Sequence, residues 1–255
     1  MTSTWETLTH LATQPLDLRD CFKADKNRQD RYTYALGDLS INFSRNHLTD
    51  DILSSLFALS EEKQVGYWVE RLFQGDKVNL TEGRAACHTA LRDPDFTPTL
   101  VDGQDITPEI RQSLDTMRHW SDQFQAKTYL GYAGQPITDI VHIGIGGSAL
   151  GPELVYNALR DYQTTAKVHF VKSLDPSNLT LTLANLHPET TLFIVASKSF
   201  TSEETLKNAN AAKRWFLAHS HDEKTLAPHF IALTANTKRA IAFGITPDHI
   251  LALWD

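Results

Sequence analysis

The sequence has few of the features that mark disulfide scaffolds, metal sites or membrane spans. Cysteine occurs only at Cys21 and Cys87, which favours two reduced thiols over a disulfide framework. Neither the cysteines nor the 11 histidines show metal-ligand spacing, so we expect no bound metal. No apolar run approaches the roughly 20 residues of a membrane span. The first residues lack the basic and apolar segments of a signal peptide. We therefore predict a cytoplasmic protein without a membrane partner.

Basic residues are too few and too scattered to form a nucleic-acid-binding surface. The chain has 24 Lys and Arg against 31 Asp and Glu, which gives a net charge of −7. This balance argues against nucleic acid as the main partner. It leaves phosphate open as a ligand, because a phosphate site needs only a local positive potential.

The apolar pattern changes near residue 125. Helical patterns predominate over 1–125, whereas apolar strand-like runs alternate with helical segments over 126–255. Such alternation predicts an α/β fold, a three-layer sandwich with a parallel sheet between helices. We predict a mostly helical N-terminal extension followed by this sheet domain. Helices are expected over 18–36, from the N-cap Thr49, over 67–73, from 81 to 93 and from 107 to 124, with a short strand over 39–43. In the sheet domain we expect strands over 137–145, 168–171, 191–196, 230–233 and 250–253, and helices over 149–162, 177–186, 202–218 and 237–243.

Two strand-to-helix junctions carry residue types that bind phosphate. Residues 144–151 are rich in glycine, and residues 197–205 contain three serines, two threonines and Lys198. Helix N-termini present unpaired N–H groups with partial positive charge, and hydroxyls donate to phosphate oxygens. Ligands of parallel sheets bind at the carboxyl ends of the strands, where both junctions are expected. The pattern predicts a site for a small phosphorylated metabolite.

Other interpretations of these junctions stay open. Gly144, Gly146 and Ala149 fit the G-x-G-x-x-G/A dinucleotide fingerprint, and Asp175 follows the next predicted strand. A dinucleotide whose pyrophosphate binds at the first junction does not need the second, hydroxyl-rich junction. Asp175 precedes a proline, and an Asp in this position is also typical of the start of a helix. A tight glycine turn without ligand and a capped, solvated loop are the simplest structural alternatives. His142, inside a predicted strand, is expected to be packed rather than catalytic.

Both junctions resemble signature segments of the glucose-6-phosphate isomerase family. The first reads Gly144-Ile145-Gly146-Gly147-Ser148-x-Leu150-Gly151-Pro152, and the second reads Ser197-Lys198-x-Phe200-Thr201-x-x-Glu204-Thr205. Matches elsewhere follow the same order along most of the chain. They include Leu18-Arg19-Asp20, Phe43-Ser44-x-Asn46, Asn79-x-Thr81-Glu82-x-Arg84-Ala85, His88-x-Ala90-Leu91-Arg92, Ile137-Thr138-Asp139-Ile140-Val141 and Asn236-Thr237-x-x-x-x-x-Phe243-Gly244-Ile245.

The resemblance implies an aldose–ketose isomerase of glycolysis and gluconeogenesis. Such an enzyme interconverts glucose 6-phosphate and fructose 6-phosphate through an enediol. The resemblance also implies a sugar-isomerase (SIS) fold of flavodoxin-like type, a homodimer, and no metal or organic cofactor. Within the matching motifs it assigns sugar-phosphate binding to Gly147, Ser148, Ser197, Lys198, Ser199, Thr201 and Ser202.

The sequence departs from the family pattern at three positions and at its end. Ala149 stands where the family usually has Asp, while Ser199 and Ser202 replace Thr and keep the hydroxyl. The family continues beyond this chain, and its catalytic Arg, Glu base, ring-opening His and late Lys lie in that continuation. We therefore expect an N-terminal portion that lacks the C-terminal SIS domain, contains no catalytic residue and is inactive alone. A non-catalytic sugar-phosphate-binding SIS module and a dinucleotide-binding oxidoreductase domain are the alternatives.

Overall fold

The chain divides into two compact units in the computed structural model, which describes residues 3–162 and 166–253. The units are Met1–Thr107 and Pro108–Asp255, so the helix Thr107–Gln125 begins at the division between them. The division at 125/126 suggested by the sequence pattern stays a prediction. Within the described ranges, no helix is long and apolar enough to cross a membrane.

Short helices and two small antiparallel hairpins make up the first unit. Ser3 and Glu6 form a capping box at the first helix, and the Thr49 hydroxyl accepts from the Ile52 N–H, which confirms the predicted N-cap. Both cysteines are free and half-buried. The helices are α1 (Thr4–Ala12), α2 (Leu18–Ala24), α3 (Arg28–Arg31), α4 (Asp50–Glu62), α5 (Val65–Phe73) and α6 (His88–Leu91), and the strands are β1 (Thr33–Leu36), β2 (Leu39–Asn42), β3 (Leu100–Val101) and β4 (Gln104–Asp105).

Two helices predicted in this unit are shorter than predicted, since the first ends at Ala24 and the second comprises only His88–Leu91. The segment 18–36 forms α2, α3 and then β1, which pairs with β2 across a tight connection in which Gly37 has a φ of 56°. Residues 80–83 form a turn between the bridged residues Asn79 and Arg84, because the Asn79 side chain accepts from the Thr81 hydroxyl and the Glu82 N–H. Such local side-chain bonds compete with helix formation.

A five-stranded parallel sheet forms the centre of the second unit and confirms the predicted α/β fold. The strand order is β6-β5-β7-β8-β9, which in chain order is the 2-1-3-4-5 arrangement of flavodoxin-like sheets. The strands are β5 (Asp139–Ile143), β6 (Lys167–Val171), β7 (Thr191–Ala196), β8 (Phe230–Thr234) and β9 (Ile250–Ala252), and the helices are α7 (Thr107–Gln125), α8 (Gly147–Ala158), α9 (Pro176–Leu183), α10 (Glu203–Ser220) and α11 (Thr237–Phe243). One-turn 3₁₀ segments lie at Arg160–Tyr162, Pro188–Thr190 and Pro247–His249, with a longer one at Glu223–His229.

Helices cover both faces of this sheet, as the continuous apolar strands predict. Successive residues of a strand point to opposite faces. Val141 and Ile143 of β5 pack in the larger apolar core with residues of α9, α10 and α11. Ile140 faces the other way and packs with Trp120 and Phe124 of α7. On that second face α8 packs beside β6, so the sheet is the middle of three layers.

A buried histidine ties the segment that precedes β5 to the sheet. The Tyr132 N–H donates to His229 Nε2 at 2.9 Å, and His229 Nδ1 lies 2.6 Å from the Thr191 carbonyl oxygen. Because that carbonyl can only accept, Nδ1 carries the proton and the ring is neutral. A Cβ at Gly131 would lie 2.2 Å from the Glu189 carbonyl oxygen, so only glycine fits beside this ring.

Candidate anion-binding site

The glycine-rich junction (144–151) and the hydroxyl-rich junction (197–205) follow the neighbouring strands β5 and β7, at the point where the strand order reverses. β5 pairs in parallel with both β6 and β7, in a register that sets Ile143 opposite Val195. The helices that follow β5 and β7 lie on opposite faces, since α10 packs in the larger core and α8 packs on the α7 side. In open α/β sheets this divergence creates the crevice in which ligands bind.

The first junction exposes the backbone at the start of α8. Gly146 has φ 58° and ψ −125°, a conformation that favours glycine, and it and Gly147 are exposed. Among the residues that the structure describes, no side chain caps this helix. The Ser148 and Ala149 N–H groups donate to the Ile145 and Gly146 carbonyls at 3.3 and 3.0 Å, which leaves the Gly147 N–H open to an anion. Ser148 is half-buried, whereas Ala149, where the sequence departs from the family pattern, is only 1% exposed and faces the interior.

A buried histidine contacts this turn from inside the sheet. His142 of β5 is 5% exposed, and its Nε2 lies 2.7 Å from the Ser148 carbonyl oxygen. Burial lowers the pKa of His142 below its usual value, although the bond to Ser148 partly offsets the effect. The ring is therefore neutral, with its proton on Nε2, and the expectation that His142 is packed is confirmed.

The second junction brings hydroxyl groups together after β7. Ser197 is buried, its N–H donates to the Leu233 carbonyl, and its hydroxyl lies 3.3 Å from that of Ser202. The hydroxyls of Ser199 and Thr201 are exposed and 2.5 Å apart, and the Thr201 N–H also donates to the Ser199 hydroxyl. The loop therefore has an inner pair, the buried Ser197 with the exposed Ser202, and an outer pair in which both residues are exposed.

Backbone and apolar contacts fix this loop. The Lys198 carbonyl accepts from the Ala235 N–H and from the Thr234 hydroxyl, each at 2.9 Å, which ties the loop to the end of β8. The Phe200 side chain is 2% exposed and its ring meets Phe243 edge-on, with a backbone φ of 51°. These anchors leave the Lys198 side chain and the outer hydroxyls at the surface.

The start of α10 completes the second junction. In the described part of the chain, no side chain caps α10 at Ser202, so its first N–H groups also face the loop. Glu203 in its first turn pairs with Lys207 at 2.6 Å. Deeper in the helix, Asn208 is buried and its amide donates to the Ser173 carbonyl at 2.9 Å, which links α10 to the loop after β6.

Asp175 has a structural role in the loop after β6. Its carboxylate accepts from the Ser177 N–H and caps α9, which confirms its expected place at a helix start. Hydrogen bonds from Ser177 lower the pKa of this carboxyl group. A dinucleotide interpretation needs this carboxylate for a ribose, whereas here it is already engaged by the helix.

The structure sets all seven residues assigned by resemblance in two loops that follow adjacent strands. Sequence reasoning missed Thr234, which holds the second loop, and Asn208, which links α10 to the loop after β6. The helical spacing of buried α10 residues, with Asn208 beside Ala209, is the signal that indicates a buried amide. Over the described ranges, no group of three or more His, Cys, Asp or Glu side chains could hold a metal ion.

The fold defines a doubly wound α/β protein, and the two junctions lie at the switch point of its sheet. The family model for phosphoglucose isomerase matches residues 42–255. The chain belongs to this family.

Curated relatives agree with this assignment. The chain is 44% identical over 237 residues to glucose-6-phosphate isomerase of Hahella chejuensis, and 42% identical over 241 residues to glucose-6-phosphate isomerase 1 of Chromobacterium violaceum. These matches cover 92% and 94% of this chain but only 42% and 44% of the relatives, so the chain spans less than half of their length. A crystal structure of a glucose-6-phosphate isomerase from Chlamydia trachomatis shares the fold, with a TM-score of 0.75 at 23% identity over 99% of this chain and 48% of that one.

Proposed function

We propose that this chain is the sugar-phosphate-binding part of an aldose–ketose isomerase that interconverts glucose 6-phosphate and fructose 6-phosphate. Family membership and the names of the relatives support the reaction. One structural observation supports the binding role. Two uncapped helix starts, one rich in glycine and one rich in hydroxyls, follow adjacent parallel strands at the sheet's switch point.

The proposed phosphate contacts come from both loops. The N–H of Gly147 and the hydroxyl of Ser148 approach the sugar phosphate from α8. Ser199 and Thr201 donate from the outer part of the second loop, and Lys198 adds a positive charge. Ser197 and Ser202 line the inner part, where their mutual hydrogen bond orients both hydroxyls. N–H and O–H groups of this kind bind phosphate with modest net charge on the protein.

Isomerisation requires groups in addition to this anchor. A base must carry a proton between C2 and C1, and a cation must stabilise the charge of the enediol. We assign neither role to a residue of this chain. The family resemblance implies that the base and the cation belong to the C-terminal part of the family's sequence, which follows the part matched by this chain. The proposal is that the 255-residue chain binds substrate without turnover, and that the full-length protein is a cytoplasmic homodimer.

Calorimetric titration of the 255-residue chain tests the binding role. Fructose 6-phosphate should bind, fructose should bind at least about tenfold more weakly because it lacks the phosphate anchor, and NAD should not compete. Equal affinity for fructose and its phosphate, or displacement of the sugar phosphate by NAD, would contradict the proposal. The second outcome would favour the dinucleotide-binding alternative.

Paired variants test whether the second loop is the anchor. Thr201→Ala removes an exposed hydroxyl from the loop, and we expect about fivefold weaker fructose 6-phosphate binding, the size of one hydrogen bond. Ser121→Ala, an exposed serine on α7, is the matched control and should bind like the unmodified chain. Equal loss in both variants would refute the assignment.

Turnover by the full-length protein separates an enzyme from a non-catalytic SIS module. Conversion of fructose 6-phosphate to glucose 6-phosphate supports the isomerase, and the 255-residue chain should show none. Sugar-phosphate binding by a full-length protein without turnover would favour the binding module.

A further inference from the structure

His142 contacts the substrate-binding turn through a carbonyl group that has lost its usual helical partner. In an α-helix the carbonyl of residue i accepts from the N–H of residue i+4. For Ser148 that partner is residue 152, which is proline and lies inside α8. Proline has no N–H, and its ring pushes against the carbonyl four residues earlier. The Ser148 carbonyl therefore needs another donor.

The sheet supplies that donor. His142 Nε2 lies 2.7 Å from the Ser148 carbonyl oxygen, and the ring is 5% exposed in the face of the sheet beneath α8. The ring also packs on Phe170, with centroids 5.5 Å apart, so its orientation is fixed by apolar contact. Gly144 also lies close to the Ser148 peptide, because a Cβ at Gly144 would lie 3.0 Å from the same oxygen.

We propose that His142 is a positioning residue for the sugar-phosphate site, because its Nε2–H replaces the N–H that Pro152 lacks and fixes the Gly147–Ser148 turn. The inference rests on the proposed function, since it assumes that this turn binds the substrate. His142 itself does not touch the ligand. It holds the carbonyl of Ser148, and thereby orients the turn that carries the Gly147 N–H and the Ser148 hydroxyl.

The pairing of His142 with Pro152 provides a compensation test. His142→Leu removes the donor and keeps an apolar side chain of similar size, so fructose 6-phosphate should bind about tenfold more weakly. Pro152→Ala restores an N–H at position 152, which can donate to the Ser148 carbonyl. The double variant should therefore recover affinity to within about twofold of the unmodified chain.

Compensation distinguishes positioning from packing. A residue that acted only by filling space would lose affinity in His142→Leu, and Pro152→Ala would not restore it. His142→Gln keeps a side-chain N–H donor and should bind nearly as tightly as the unmodified chain. Unchanged affinity in folded His142→Leu, or a double variant as weak as the single one, would overturn the proposal.

A nitrogen-15 NMR spectrum of the histidine-labelled chain tests the contact without any ligand. The proposal requires His142 to be the neutral tautomer protonated on Nε2, because a carbonyl can only accept. A proton on Nδ1 alone would overturn it, even if His142→Leu fails to fold. If the unmodified chain does not bind fructose 6-phosphate, the proposed function fails, while the tautomer still decides whether His142 holds the Ser148 carbonyl.

Discussion

His229 provides the sharpest test of how the second unit is held together. Its ring has no exposed surface and bonds two backbone groups, the Tyr132 N–H and the Thr191 carbonyl. His229→Leu leaves both groups without this partner. Each buried backbone group left unpaired costs about 1–3 kcal/mol, so we expect a loss of about 2–6 kcal/mol in the free energy of unfolding. Urea denaturation followed by tryptophan fluorescence measures this loss.

The same ring makes stability depend on pH in a defined direction. Burial lowers the pKa of His229 below its usual value of 6.5, so the unfolded chain binds the proton first as pH falls. The contribution of the neutral ring is complete above pH 6.5 and declines below it. The unfolded chain binds at most one more proton than the folded chain at this site, which limits the slope of the decline. Burial also lowers the pKa of His142 and His249, so they act in the same direction.

A comparison of variants isolates the effect of His229. Between pH 7.5 and 5.5, His229→Leu should lose less stability than the unmodified chain, because one titrating group is gone. His119→Leu, an exposed histidine of α7, is the control and should change stability by less than about 0.5 kcal/mol. An identical pH slope in His229→Leu and the unmodified chain, or a loss at pH 7.5 no larger than the control's, would refute the reasoning.

Four further substitutions test local packing and the site. Gly131→Ala should destabilise the chain by at least about 3 kcal/mol in urea denaturation, since its Cβ would lie 2.2 Å from the Glu189 carbonyl oxygen. Gly66→Ala in α5 is the control: its Cβ meets nothing within 4 Å, so the substitution should stabilise the chain by about 0.5–1 kcal/mol. Gly147→Ala also has open space, so calorimetry should show weaker fructose 6-phosphate binding at unchanged thermal stability; unchanged affinity would remove Gly147 from the site. Phe200→Ala should lose about 3–5 kcal/mol, because its buried ring anchors the second loop; a loss below about 1 kcal/mol would contradict that role.

The parallel sheet could be predicted because its strands are buried on both faces. The strand Thr191–Ala196 and the helix Thr237–Phe243 have the predicted bounds, and the other strands differ from prediction by a few residues at their ends. Buried strands of this kind are continuous apolar runs with clear ends. The predicted strand at 137–145 extends too far because residues 144–145 belong to the turn that leads into α8.

The first unit was harder to predict because its elements are short and exposed. All four residues of Thr33–Leu36 are exposed, so their sequence shows no alternation between a buried and an open face. The turn after Asn79 depends on side-chain bonds that a helical pattern does not reveal.

The support behind the candidate site was also beyond sequence reasoning. The glycine and hydroxyl residues could be found from their order along the chain. The contact between His142 and the Ser148 carbonyl joins a strand to the following helix, and its reason lies at Pro152. Only the folded arrangement shows that the Ser148 carbonyl, which Pro152 leaves without its helical N–H partner, lies beside the His142 ring.

A crystal structure of the 255-residue chain with fructose 6-phosphate tests the central claim most directly. The account predicts that the phosphate lies in the crevice between α8 and α10 and accepts hydrogen bonds from the Gly147–Ser148 turn and from the Ser199 and Thr201 hydroxyls together. A phosphate bound to only one of the two loops, or at another place on the chain, would contradict the claim that the two junctions form one site.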